Sequence, residues 1–209
     1  MAIHFGTDGW RAVISDEFTF DNVRQVAQAI ADWVNEFSGH KSAAMVVGFD
    51  TRFLSDRYAI EVARVLAANG ITVHLTGSDA PTPAVSFAVK QMGAQGGVMI
   101  TASHNAPRYN GIKLKASYGG SALNEDCRRV EYYLEQGVEV RSVEYQAARQ
   151  GGLIQRINPE WMYNAHLETL VSREVIVLPM QSFAWEDKEL IWLKRRSQMS
   201  EKSAAAKSS

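Results

Sequence analysis

A short polar segment near the middle of the chain carries the strongest chemical signal. Residues 101–105 read Thr-Ala-Ser-His-Asn and continue an apolar run that begins at Gly97. Ser103 offers a hydroxyl nucleophile, and His104 and Asn105 offer hydrogen bonds to a charged group. Taken alone, the segment is more typical of a polar turn with a capping serine, so its chemistry depends on the groups around it.

The segment Asn110-Gly111-Ile112-Lys113 could bring a lysine to that serine. Asn-Gly predicts a tight turn, which would aim Lys113 back toward Ser103. A lysine that lies near a phosphate and is partly removed from water can shuttle protons. The alternative is that Lys113 is an ordinary solvated surface charge.

The N-terminal segment could bind an anion. Residues 6–11 read Gly-Thr-Asp-Gly-Trp-Arg, and a loop of this kind, with Thr7 and Gly9 in it, can present backbone N–H groups to a phosphate. Arg11 can clamp phosphate oxygens with two parallel hydrogen bonds. The alternative is a glycine-rich turn that ends in a surface arginine.

A second charged segment, Gly-Phe-Asp-Thr-Arg at residues 48–52, ends another apolar run. Asp50 and Arg52 could pair with each other or with the serine loop. The alternative is an ion pair at the end of a strand, which contributes little to stability.

Buried strands alternating with amphipathic helices must position these segments. Runs that are apolar throughout predict strands at 43–49, 71–75 and 97–101. Apolar residues at steps of three and four predict helices at 19–37, 55–69, 84–92 and 124–136. Strands that are apolar on both sides need helices on both faces, so the pattern predicts a three-layer α/β/α domain.

The ends of the helices and the later part of the chain give weaker signals. Thr19 and Asp21 predict the start of the first helix, Asn69-Gly70 the end of the second, and Asn124 the N-cap of the fourth. We predict a domain over residues 1–136, a connector and helix over 137–171, and a divergent, partly disordered tail over 172–209. Within the later part we expect edge strands at 138–143 and 153–157, a helix at 159–171 and a strand at 174–178.

Composition limits the class of protein. The chain has 209 residues, 46% of them hydrophobic, and a net charge of −1, so nothing favours a nucleic-acid or membrane partner. The single cysteine, Cys127, excludes a disulfide within one chain and favours a reducing compartment. The N-terminus has no basic, apolar leader, and we expect a cytoplasmic protein.

Together the four segments resemble the alpha-D-phosphohexomutase superfamily, which includes phosphoglucomutase and phosphomannomutase. Residues 101–105 match the family's phosphoserine loop, Thr-x-Ser-His-Asn-Pro, although Ala106 stands where proline is usual. Residues 109–113 match its Tyr-Asn-Gly-x-Lys segment. Residues 6–11 resemble its N-terminal loop, and residues 48–52 resemble its Gly-x-Asp-x-Arg element.

The resemblance implies a fold, a reaction and a cofactor. The fold is a three-layer α/β/α sandwich with a mixed, mostly parallel sheet. The reaction converts hexose 1-phosphates to 6-phosphates by intramolecular phosphoryl transfer through a phosphoserine, in carbohydrate metabolism. Ser103 would carry the phosphoryl group, whose oxygen would also be one ligand of Mg²⁺.

The resemblance also implies roles for the other site residues. Arg11 would stabilise the transferring phosphate, Lys113 would act as general acid and base, and His104 would orient or protonate the sugar oxygen. The residues implied to bind the substrate or its phosphate are Thr7, Gly9, Asp50, Arg52, Asn105 and Asn110.

The sequence departs from the family after about residue 171. We find no metal loop of the form Asp-Gly-Asp-x-Asp-Arg, no sugar-specificity loop of the form Gly-Glu-x-Ser-Gly and no second phosphate loop. We therefore expect a truncated chain with an incomplete magnesium site and little or no turnover by itself. The alternative is a non-catalytic remnant that binds sugar phosphate or pairs with a full-length mutase.

A serine hydrolase that uses Ser103 and His104 is not favoured. The sequence has no Gly-x-Ser-x-Gly elbow, and two adjacent residues cannot easily form the geometry of a nucleophile and its base.

Overall fold

A computed structural model describes residues 3–6, 9–39, 43–137 and 139–171. The contacts divide the chain into two units, residues 1–165 and residues 166–209. The strands are β1 (Trp10–Val13), β2 (Ala44–Phe49), β3 (Thr72–Thr76), β4 (Gly96–Ile100), β5 (Tyr109–Ala116) and β6 (Ile154–Ile157). The helices are α1 (Phe20–Ser38), α2 (Ser55–Ala68), α3 (Thr82–Gln91), α4 (Asn124–Glu135), α5 (Tyr145–Gln150) and α6 (Pro159–Leu170).

The strands form a six-stranded sheet in the order β1-β5-β4-β2-β3-β6. The pairs β4–β2, β2–β3 and β3–β6 are parallel, whereas β5 is antiparallel to both of its neighbours. Among the strands of the described residues, five therefore run in one direction and β5 alone runs in the other. The mixed, mostly parallel sheet that the resemblance implied is confirmed.

The two faces of the sheet bury different layers of side chains. Because successive residues of a strand point to opposite faces, Val46 and Met99 join a small core under α3, while Val47 and Ile100 join a larger core. The larger core also takes its side chains from α1, α2 and α4, and Tyr58 is one of its largest fully buried members. The three-layer α/β/α arrangement is confirmed.

The predicted start of α1, end of α2 and first residue of α4 are confirmed, whereas the predicted N-cap of α4 is wrong. Thr19 caps α1, since its hydroxyl accepts a hydrogen bond from the Asn22 N–H at 3.2 Å. The residue that caps α4 is Leu123, because its own N–H donates to the Asp126 carboxylate at 3.0 Å. Asn124 is instead the first residue of that helix.

Two strands of the sheet are absent from the predictions, and one predicted strand is absent from the structure. β1 is too short to give a periodic signal. Asn110-Gly111 lies inside β5 and forms no turn, because the buried neighbours β1 and β4 fix it in extended backbone. Residues 139–143 form no strand, and the chain next forms α5.

The remaining predictions after residue 137 have mixed outcomes. The predicted edge strand at 153–157 is confirmed as β6, which pairs with β3 at the edge of the sheet. The predicted strand at 174–178 and the predicted tail lie outside the described residues. The boundary predicted at residue 136 stays a prediction. No helix among the described residues is long and apolar enough to cross a bilayer.

Candidate active site

Ser103 lies on a tight turn just beyond the end of β4. Its side chain is exposed, and its backbone has a φ of 53°, the left-handed region that residues other than glycine seldom adopt. Its N–H donates to the Thr101 hydroxyl at 2.9 Å, and the Asn105 N–H donates to the Ala102 carbonyl at 3.0 Å. Unusual backbone of this kind clusters at functional sites, so the turn presents a candidate nucleophile.

His104 is the nearest side-chain partner of the serine hydroxyl. Its Nδ1 lies 3.4 Å from the Ser103 oxygen, and both side chains are exposed. This distance is at the long end for a hydrogen bond. The imidazole is thus placed to contact the serine oxygen or a group attached to it.

Arg11 reaches the same loop from the N-terminal strand. It is the second residue of β1, and its Nη1 donates to the Asn105 side-chain oxygen at 3.0 Å. Its Cα pairs with Gly111 of β5, where an added Cβ would lie 3.0 Å from the Arg11 Cγ and 2.8 Å from the Thr101 carbonyl oxygen. The missing side chain at Gly111 therefore leaves room for Arg11 beside the serine loop.

Lys113 shares one face of the sheet with Arg11. Arg11 pairs with Gly111, and Lys113 lies two residues further along β5, so alternation directs both long side chains to the face covered by α3. Lys113 is opposite Met99 of β4 and is 8% exposed. The extended strand places this lysine, not the turn that Asn110-Gly111 predicted, and it is not an ordinary solvated charge.

Gly9 packs the N-terminal loop against β5. Its φ is 104°, and an added Cβ would lie only 2.2 Å from the Ile112 carbonyl oxygen and 2.9 Å from the Lys113 Cα. The Gly6 N–H donates to the Gly9 carbonyl at 3.1 Å and closes the loop. Gly9 therefore lies beside Lys113, while Thr7, which was predicted to bind phosphate, is outside the described residues.

Arg52 contacts the serine loop through both terminal nitrogens of its guanidinium group. Nη1 donates to the carbonyl oxygens of Ala106 and Tyr109, at 3.0 and 2.9 Å. Nη2 donates to those of Ser103 and Asn105, at 2.8 and 2.6 Å. Asp50 and Arg52 were expected to pair either with each other or with the serine loop, and the structure shows both contacts. The observed contacts are with backbone oxygens of this chain.

Asp50, Ser55 and Asn110 form a chain of hydrogen bonds behind Arg52. Asp50 Oδ1 accepts from the Arg52 N–H at 3.0 Å and from the Ser55 hydroxyl at 2.9 Å, and its Oδ2 lies 3.5 Å from the Arg52 Nε. The Asn110 amide donates to the Ser55 oxygen at 2.9 Å and is fully buried.

Asn110 is fully buried, so it could contact a substrate directly only if it became exposed. Its observed hydrogen bond to Ser55 instead links it to the residues that hold Arg52. Ser55 and Thr101 are supporting residues that the sequence analysis missed. A serine just after an Asp-x-Arg segment at a helix start was the available signal for Ser55.

The described residues do not by themselves form a magnesium site. They contain no group of three or more His, Cys, Asp or Glu side chains that could hold a metal ion. Mg²⁺ usually takes carboxylate and phosphate oxygens in near-octahedral geometry. A phosphate on Ser103 would supply one such oxygen, and the rest of the predicted site has no counterpart in this part of the chain.

The sequence matches a known family over most of its length. The family model described as "Phosphoglucomutase/phosphomannomutase, alpha/beta/alpha domain I" matches residues 2–141. The phosphoglucomutase of Staphylococcus saprophyticus is 36% identical over 167 residues, which are 76% of this chain and 29% of that protein. The phosphoglucosamine/phosphogalactosamine mutase of Sulfurisphaera tokodaii is 41% identical over 127 residues, 61% of this chain and 27% of that protein.

A solved structure has the same fold. A protein of Thermus thermophilus, provisionally named a phosphomannomutase, superposes with a TM-score of 0.74 and 35% identity. The match covers 83% of this chain and 37% of that chain. The present chain thus spans about a third or less of the length of these relatives.

Proposed function

Because the chain belongs to the phosphoglucomutase/phosphomannomutase family, we propose that Ser103 is the phosphate-accepting residue of a hexose phosphate mutase reaction. The reaction would move a phosphoryl group between the 1- and 6-positions of a hexose phosphate. The observation that carries the proposal is the exposed Ser103 hydroxyl on a left-handed turn, with His104 beside it and Arg11 bonded to the same loop. A cytoplasmic location belongs to the same proposal.

In the proposed phosphoryl transfer, one bond to phosphorus breaks, another forms, and two protons move. The bond between phosphorus and the Ser103 oxygen breaks, and a bond forms between phosphorus and a sugar hydroxyl oxygen. The hydroxyl proton passes to Lys113 in its neutral form, and the Ser103 oxygen takes a proton from His104, whose Nδ1 lies 3.4 Å away. The sugar bisphosphate then reorients, and the reverse sequence returns its other phosphate to the serine.

Positive charge on one side of the loop favours this transfer. Phosphoryl transfer depends mainly on alignment and on stabilisation of charge that is already present on the phosphate oxygens. Arg11 and Lys113 share one face of the sheet, and the guanidinium of Arg11 contacts Asn105 at 3.0 Å. We propose that the Arg11 guanidinium, and the Lys113 ammonium that forms when Lys113 takes the hydroxyl proton, lie on the phosphate side of Ser103. No step is assigned to Mg²⁺, since the described residues do not fit its site.

Intact mass tests the phosphoserine directly. After incubation with glucose 1,6-bisphosphate and magnesium, we expect a fraction of the chain to gain one phosphate. Ser103→Ala should not gain it, whereas Ser117→Ala, which changes another exposed serine, should behave as the wild type. A phosphate that persists in Ser103→Ala, or never forms in the wild type, would overturn the proposal.

Turnover is a separate question, because the matched relatives are much longer than this chain. A coupled assay should follow the conversion of glucose, mannose and glucosamine 1-phosphates to the 6-phosphates. We propose that the isolated chain is weakly active or inactive. Binding of sugar phosphate, or of a full-length mutase, without phosphate on Ser103 would favour a non-catalytic protein.

A further inference from the structure

We propose that Arg52 is a positioning residue that holds the backbone of Ser103 in its left-handed conformation. It does so through the carbonyl oxygens of the serine loop and not by binding phosphate. The structural part of this inference stands on the contacts of Arg52 alone, and only its effect on phosphoryl transfer rests on the proposed function.

The terminal nitrogens of the Arg52 guanidinium donate hydrogen bonds to oxygens of this chain. A guanidinium has five N–H donors in a fixed plane. Four of them meet the carbonyl oxygens of Ser103, Asn105, Ala106 and Tyr109 at 2.6–3.0 Å. The Nε forms an ion pair with the Asp50 carboxylate at 3.5 Å, so the four hydrogen bonds of the guanidinium to these carbonyls all come from its two terminal nitrogens.

The four carbonyl oxygens converge on the Arg52 guanidinium. Carbonyl oxygens carry partial negative charge, and bringing several together within one short loop is unfavourable unless a donor lies between them. Arg52 meets the Ser103 carbonyl from one side, and the Thr101 hydroxyl accepts from the Ser103 N–H on the other. Both peptide groups that flank the Ser103 Cα are therefore held, which fixes its φ near 53°.

Asp50 and Ser55 fix the position of Arg52. Asp50 accepts from the Arg52 backbone N–H, and the same oxygen accepts from Ser55 at the start of α2. Asp50 directly follows β2, which is the parallel neighbour of β4. The position of the serine loop after β4 is thus fixed by the end of β2 and the start of α2. A lysine at position 52 could not reproduce this, because an ammonium group is a point charge without the planar fork.

Amide hydrogen exchange measured by NMR tests the positioning role without any catalysis. The loop amides to follow are those of Ser103, Asn105 and Tyr109, whose N–H groups bond within the loop. In Arg52→Lys we expect them to exchange at least roughly tenfold faster, since several hydrogen bonds from a charged donor are lost. Amides of β4 should keep their wild-type rates.

The matched control is Arg57→Lys. Arg57 is an exposed arginine of the neighbouring helix α2, and its ion pair with Asp56 is a 3.5 Å contact. It should leave both groups of amides unchanged. A second variant, Asp50→Asn, keeps Arg52 but replaces the carboxylate that pairs with its Nε by a neutral amide. This variant should also speed amide exchange in the serine loop.

Wild-type exchange in the loop of Arg52→Lys would overturn the proposal. So would an increase shared equally by loop and β4 amides in both variants, because Arg52 would then support the whole domain and not the loop.

Phosphorylation by glucose 1,6-bisphosphate gives a second readout. In Arg52→Ala we expect the rate of phosphate gain at Ser103 to fall at least roughly tenfold. Methylguanidinium should restore part of that rate, whereas methylammonium should not, since only the planar fork can meet the carbonyls. Equal rescue by both cations would overturn the positioning role. If wild-type Ser103 is never phosphorylated while Arg52→Lys still loosens the loop, the proposed function fails and the positioning role remains.

Discussion

At the scale of single residues, the candidate site depends on a few positions where the backbone is unusually constrained. Ser103 has a positive φ without being glycine, and Gly9 and Gly111 allow backbones to approach more closely than any side chain would permit. Gly9 lies against β5, and Arg11, beside Gly111, reaches the serine loop. The constrained positions are where substitutions should be most damaging.

Gly9→Ala should destabilise the protein far more than an alanine at another left-handed glycine. An added Cβ at Gly9 would lie 2.2 Å from the Ile112 carbonyl oxygen, so the backbone itself must move. We expect the free energy of unfolding to fall by roughly 3 kcal/mol or more. Gly39→Ala is the control: its φ is 61° and no described residue lies within 4 Å of the new Cβ, so only about 1–2 kcal/mol of backbone strain is expected. Urea unfolding of both variants gives the comparison, and equal losses would contradict it.

His74 should make stability depend on pH. Burial lowers the pKa of His74 in the folded state below its ordinary value of 6.5, and its Nδ1 has no hydrogen-bond partner among the described residues. Between the folded and unfolded pKa values the unfolded chain binds more protons, so this contribution is complete above about pH 6.5 and is lost as pH falls.

Urea unfolding at pH 7.5 and 5.5 should therefore show a larger loss on acidification in the wild type than in His74→Gln. The same loss in both proteins would exclude His74 as the cause.

The sequence indicates which residues meet at the site, but it does not indicate which atoms they contact. The motifs predicted that the segments around Ser103, Arg11 and Arg52 belong together, and the structure brings them together. The catalytic and binding roles stay predictions. The carbonyl contacts of Arg52 and the burial of Asn110 could not be read from the sequence, because both depend on backbone that is distant along the chain.

At the scale of the elements, β5 assembles the site and is one of the two strands that were not predicted from the sequence. The strands β2 and β4 were predicted from runs that are apolar on both sides. In β5 the apolar residues Ile112 and Leu114 alternate with Lys113 and Lys115, and Asn110-Gly111 suggests a turn. Only its position between β1 and β4 forces this segment into an extended form.

The attachment of α4 to α1 offers a test of which contacts stabilise an element. Val130 is the fully buried residue of α4, whereas Arg129 forms an exposed ion pair with Glu36 of α1. We expect Val130→Ala to lower the free energy of unfolding by about 2 kcal/mol, because it removes buried methyl groups and leaves a cavity. Arg129→Ala should have a much smaller effect, since exposed ion pairs are screened by water and salt. Chemical denaturation of the two variants decides the order, and a larger loss in Arg129→Ala would contradict it.

At the scale of the whole molecule, the first unit contains every strand of the described residues. Residues 1–165 form this unit, and β6 near its end pairs with β3 and adds the buried Ile154 to the larger core. We expect a chain of residues 1–165 to unfold cooperatively, as followed by circular dichroism in urea. A chain ending at residue 152 should be less stable by roughly 2 kcal/mol or more, because it loses that pairing and that side chain. Equal stability of the two shortened chains would mean that β6 adds nothing to the domain.

The single reversed strand has a consequence for how the chain emerges from the ribosome. Trp10 is synthesised 102 residues before Ile112, and it finds its strand partner only when Ile112 has been made. Until then β1 cannot pair with the sheet, and the Trp10 indole cannot be buried against it. Pairings between segments that are distant along the chain form late during folding. We expect β1 to remain open to protease in nascent chains that stop before β5 and to become protected soon after that strand is released.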